Sequence, residues 1–88
     1  MQYLTQNMTN SLTFYASQTL QQASSFVLRF LYCGSIVKEI DPVEPTVCNC
    51  KATVSFWHPC NQITTADTAQ LIADDEVVQE IKITVNPA

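Results

Sequence analysis

Residues 26–40 read FVLRFLYCGSIVKEI, and two structures compete for them. As a strand, the even positions make one apolar face of Phe26, Leu28, Phe30, Tyr32, Gly34, Ile36, Lys38 and Ile40, thinned by the glycine and interrupted by one lysine. The odd positions, Val27, Arg29, Leu31, Cys33, Ser35, Val37 and Glu39, are mixed enough to be partly wet. As a helix running from Leu20 to Ile40, the segment would gather Phe26, Val27, Phe30, Leu31 and Val37 on one side. The density of β-branched and aromatic residues favours the strand. A glycine inside such a run marks a bulge or a sharp bend.

The same period of two continues on both sides. Leu12, Phe14 and Ala16 alternate with Thr13, Tyr15 and Ser17. After the turn Asp41-Pro42-Val43-Glu44-Pro45, where two prolines withhold backbone donors, Cys48, Cys50, Ala52, Val54 and Phe56 share a face opposite Asn49, Lys51, Thr53 and Ser55. His58-Pro59 ends that run. From Glu76 to Asn86, Val77, Gln79, Ile81, Ile83 and Val85 are expected to face inward.

Only residues 67–74 break the pattern. Asp67-Thr68-Ala69-Gln70 has the carboxylate and the following glutamine of a helix start, which predicts one short helix there, with a short strand as the competing reading. The fold expected is mainly β: a small antiparallel sandwich or barrel of about four to six strands. An extended N-terminal arm at residues 1–10 precedes a single β domain at 11–88.

That arm is rich in Gln, Asn and Thr, and the first charged side chain in the chain is Arg29. A segment of this kind frays unless its own domain or a neighbour holds it. Its larger apolar groups are Tyr3, Leu4 and Met8. Together with Trp57, which falls on the polar face of its strand and belongs to a residue type favoured at interfaces, they are the candidate interaction residues.

Charge removes some classes of function. Eight Asp or Glu against four Lys or Arg give a net charge of -4, and Arg29, Lys38, Lys51 and Lys82 are scattered. Nucleic-acid binding needs a basic stripe, and binding to an anionic membrane needs a polybasic patch; neither partner is expected. The apolar stretch from Phe26 to Val37 is too short to span a bilayer. Met1 to Asn10 lacks the basic start and apolar run of a signal peptide, so synthesis is expected in the cytoplasm.

The four cysteines are Cys33, Cys48, Cys50 and Cys60. On an extended strand, Cys48 and Cys50 would hold their sulfurs about 6.5–7 Å apart, against about 3.8 Å for two sulfurs on one tetrahedral zinc. His58 would lie about 33 Å from Cys48. A hairpin closed at residues 41–45 would bring Cys33 towards Cys50, which leaves a disulfide open. Cysteines on an apolar strand face fit buried free thiols best, so no metal and no cofactor is expected.

His58 has no nucleophile and acid grouped with it, and one glycine cannot build a phosphate cradle. Asp74-Asp75-Glu76 reads as a solvated turn. Asn7-Met8-Thr9 matches a glycosylation sequon, a pattern common by chance. No catalytic residue is expected. The function expected is that of a non-enzymatic structural or assembly protein, a homo-oligomer or a subunit of a larger assembly such as a viral or phage particle (virion). The alternative is a small binding module held by disulfides or a structural zinc.

Overall fold

The computed structural model describes residues 2–5, 8–16, 20, 22–48, 50–58 and 66–86, with the side chain of His58 left out. These residues form eight strands and no helix: β1 Gln2–Thr5, β2 Met8–Tyr15, β3 Phe26–Tyr32, β4 Ser35–Ile40, β5 Thr46–Cys48, β6 Lys51–His58, β7 Thr68–Ala73 and β8 Glu76–Asn86. They build two sheets, ordered β1-β8-β7-β3-β4 and β2-β6-β5. Every neighbouring pair is antiparallel except β1 and β8. The expected mainly β sandwich is therefore the architecture, with more strands than the sequence predicts and no helix among the described residues of 20–40.

The core lies between the sheets. Leu4, Leu28, Phe30, Leu71 and Ile83 come from the larger sheet, and Leu12, Phe14, Val54 and Phe56 from the smaller. The Phe30 and Phe56 rings meet across the gap at 5.5 Å between centroids and tilt by 53°, a geometry that adds to area burial. Leu12 and Phe14 are fully buried, as their alternation requires.

Four sequence expectations are corrected. Residues 68–73 are strand β7, not a helix: sandwiched between β3 and β8, the segment buries Thr68, Ala69, Leu71, Ile72 and Ala73, and two flanking ladders outweigh the weak capping signal. The run 26–40 is two strands rather than one. Cys33 and Gly34, at φ 49° and 83°, make the two-residue turn of a hairpin whose turn type needs positive φ at both positions. A bulge at Phe30/Leu31 then shifts the alternation, so Ile36 is exposed rather than inward.

Likewise, the bulge at Leu71/Ile72 flips the start of β8, so Val77 is exposed while Val78 packs on the core. Finally, residues 41–45 close no hairpin. They carry the chain from β4 in one sheet to β5 in the other, with the Val43 amide donating to the Phe26 carbonyl at 3.0 Å.

The arm becomes structure within its own domain. Gln2–Thr5 pairs in parallel with β8, and Met8–Asn10 begins β2. Side-chain amides then join the two sheets at this corner. Gln2 Nε2 donates to the Thr13 carbonyl at 2.8 Å, and Gln2 Oε1 accepts from the Thr13 amide at 2.9 Å. In the reverse sense, Asn10 Nδ2 donates to the Thr5 carbonyl at 2.9 Å and its Oδ1 accepts from the Thr5 amide at 2.8 Å. Each amide imitates one rung of a ladder. Gln79 adds a third contact, its Oε1 accepting from the Tyr15 amide at 2.6 Å.

Two outcomes are expected. Phe30→Ala removes a fully buried ring and should cost about 3–5 kcal/mol, a large share of the roughly 4–13 kcal/mol available to a domain this size; chemical denaturation reads it. An added Cβ at Gly34 meets nothing within 4 Å, so Gly34→Ala should cost about 1–2 kcal/mol through backbone conformation alone. Gly34→Asn should cost less, because Asn tolerates positive φ, and equal losses for the two would contradict the turn assignment.

Candidate protein-interaction surfaces

The residues singled out by sequence do not form one surface. Tyr3 is 62% exposed and pairs with Thr84 on the outside of the larger sheet. Leu4, one residue on, is fully buried and belongs to the core. Met8 and Trp57 come from the same end of the smaller sheet, where Met8 pairs with His58 and Thr9 with Trp57. Both are exposed. Trp57 thus stands on the outer face, while Met8 sits at the strand's end.

That outer face is polar and nearly uncharged. Thr13, Thr53 and Thr46 form a row across all three strands, and Ser11 and Ser55 form the next, their hydroxyls 3.0 Å apart. Trp57 closes one end. Tyr15, opposite Lys51, closes the other and is also exposed.

The outer face of the larger sheet has a different character. A polar belt crosses four strands. Arg29 Nε contacts Glu39 Oε2 at 2.6 Å, Arg29 Nη1 donates to Gln70 Oε1 at 3.5 Å, and Gln70 Nε2 donates to Glu80 Oε1 at 2.9 Å. Surface pairs of this kind add little stability each; their effect is to keep the sheet's centre wet. Beside the belt, Ile36 pairs with Leu31 at the sheet's margin.

The edges differ as well. β1 and β2 abut at the sewn corner, whereas β4 ends its sheet and β5 ends the other. β5 is three residues long; β4 has six, including exposed Ile36 and Val37. Unpaired donors and acceptors along such an edge can template a further strand. Lys38, Glu39 and the bulge at Val37 limit indiscriminate pairing. Sequence reasoning missed Ile36 because the turn and bulge that move it outward leave only Gly34 as a signal.

The cysteines also depart from expectation. Cys33, Cys48 and Cys50 are unbridged and all exposed, not buried thiols. Cys33 sits in the β3–β4 turn, and Cys50 lies in the β5–β6 turn rather than on the extended strand. Cys60 lies outside the described residues, as do Asn7 of the sequon and Pro59. Among the described residues no three His, Cys, Asp or Glu gather as a metal-binding group, and no helix is long and apolar enough to cross a membrane.

Two carboxylates serve as structural acceptors. Asp74 opens the β7–β8 turn at φ 49° and accepts from the Ser24 hydroxyl at 2.9 Å and the Ser24 and Ser25 amides at 3.1 and 3.0 Å. The Ser24 hydroxyl first, then those amides, hold its carboxyl below the usual carboxylate range. Asp67 is lowered by the Thr68 hydroxyl and then by the Cys33 amide. No family model matches the chain, and neither a curated protein nor a solved structure matches it.

Because both carboxyls are lowered in the folded state, their contribution is fully present above the unfolded value near 3.9. It is lost as pH falls through the folded values. Asp74→Asn with Asp67→Asn should therefore lower stability at neutral pH and flatten the acid side of the stability curve. Thermal melts between neutral pH and pH about 2 check this, and an unchanged acid slope would contradict it.

Proposed function

We propose that this chain is a non-enzymatic structural or assembly module that works through protein–protein contacts. The observation that carries the reading is the β4 edge, which no strand among the described residues extends and which carries exposed Ile36 and Val37, set against an opposite corner that side-chain amides close. A strand from a second copy, or from another subunit, would extend the five-stranded sheet through main-chain hydrogen bonds. Trp57 and Tyr15 on the other sheet supply aromatic anchors for a further contact.

A viral or phage particle is the narrower form of this proposal. It rests on the small size of the chain and on the lack of enzyme motifs in its sequence. The alternative of a binding module stapled by disulfides has less support, since Cys33, Cys48 and Cys50 are unbridged.

Sedimentation of the full chain over a range of concentrations tests the reading. A discrete oligomer, shifted towards monomer by Ile36→Lys with the far-UV spectrum unchanged, is the expected outcome. A monomer at every concentration, together with no change in the binding of any co-purifying subunit on Ile36→Lys, would count against it.

A further inference from the structure

The outer face of the smaller sheet follows a definite order along β2 and β6. Thr9 and Trp57 form its first rung, Ser11 and Ser55 the second, Thr13 and Thr53 the third, and Tyr15 and Lys51 the last. Both aromatics are exposed, each at 57%, and they stand on different strands at opposite ends of the face. Their rungs are six residues apart, a span of about 20 Å along the strands. The two rungs between them carry hydroxyls alone.

That order is the reverse of a protein interface. There, aromatic anchors gather at the centre, and Ser and Thr are under-represented among the residues that carry the affinity. Here Ser and Thr hold the centre and the aromatics stand at the ends. Charge narrows the occupant further. β2, β5 and β6 contain a single Asp, Glu, Lys or Arg between them, Lys51, although the chain carries eight acidic and four basic residues. A nucleic acid would stack on the rings but needs several cations for its phosphates. A strongly charged peptide would find almost no counter-charge.

The ligand that matches is neutral, long and covered in hydroxyls. A pyranose ring has an apolar face of C–H bonds, and Trp and Tyr offer a large apolar ring to stack on it. Sugar hydroxyls both donate and accept, as those of Ser and Thr do. The Ser11 and Ser55 hydroxyls satisfy each other at 3.0 Å, which leaves one proton and further lone pairs between them for a ligand. We propose that this face binds a neutral, linear oligosaccharide laid along β2 and β6. Trp57 and Tyr15 stack on sugar rings at its two ends, and the Ser and Thr rungs bond the hydroxyls between. The assembly reading rests on the β4 edge of the other sheet, so this site goes beyond it and either can fail alone.

Trp57 is the chain's single tryptophan, so its fluorescence reports on this face. The full chain is titrated with cellohexaose, N-acetylated chitohexaose and maltohexaose, and amide shifts of Ser11, Thr13 and Ser55 follow the same titrations in variants that lack Trp57. A saturable change with at least one hexasaccharide is expected. Trp57→Ala and Tyr15→Ala should each weaken it about tenfold or more, the scale of one lost ring stack, with the far-UV spectrum unchanged. Tyr3→Ala, which removes an exposed aromatic from the other sheet, and Ile36→Lys should leave it as it was. No saturable change with any of the three up to about 10 mM would overturn the proposal. So would equal weakening by Tyr3→Ala, or tighter, salt-sensitive binding of a heparin-type hexasaccharide. An oligomer that Trp57→Ala dissociates and Ile36→Lys does not would also overturn it, by giving the face to a second copy.

Discussion

Burying Phe14, Leu28, Phe30, Val54 and Leu71 between two sheets leaves each sheet with edges whose backbone groups need partners. The chain meets that constraint unevenly. At one corner, Gln2 and Asn10 exchange paired amide hydrogen bonds with the backbone of the facing strand, and Gln79 caps the Tyr15 amide. These contacts let a four-residue strand, β1, close its sheet against β2. At the other corner residues 41–45 merely cross from sheet to sheet, and β4 keeps its outer edge. Leu4, fixed between these clamps, is where the uncharged N-terminal segment enters the core.

Turns and bulges decide what each face presents. Because side chains alternate along a strand, one inserted residue moves every later side chain to the opposite face. The bulges in β4 and β8 do this to Ile36 and Val77, and so create exposed apolar groups from residues that a regular alternation would bury. The turns rely on unusual residues: Cys33 and Asp75, at φ 49° and 70°, stand where Asn or Gly is the usual choice. Asp74 offsets its own conformational cost by gathering Ser24 and Ser25.

Much of this was legible from the residues. The period of two in 12–16 and 52–56 carries the strands, their buried faces and the exposure of Trp57, because both segments are regular and flanked by clear breaks. The capping pattern in residues 67–74 misleads because it is local, while the ladders on both sides of β7 are not. The burial of Leu4 depends on pairing with β8, a segment far along the chain, and the exposure of Cys48 and Cys50 on the short hairpin between β5 and β6. No local pattern encodes the pairing of β1 with β8. The side-chain amides were visible only as a polar, uncharged composition, which gives no sign of which backbone groups they meet.

Residue-resolved amide hydrogen exchange of the monomeric chain tests this uneven edge most directly. The account predicts slow exchange in β3, β6 and β7, slow exchange of the Thr13 and Tyr15 amides despite their place on an edge strand, and fast exchange of the outward-pointing half of the β4 amides. Fast exchange at Thr13 and Tyr15 with uniform protection along β4 would contradict it.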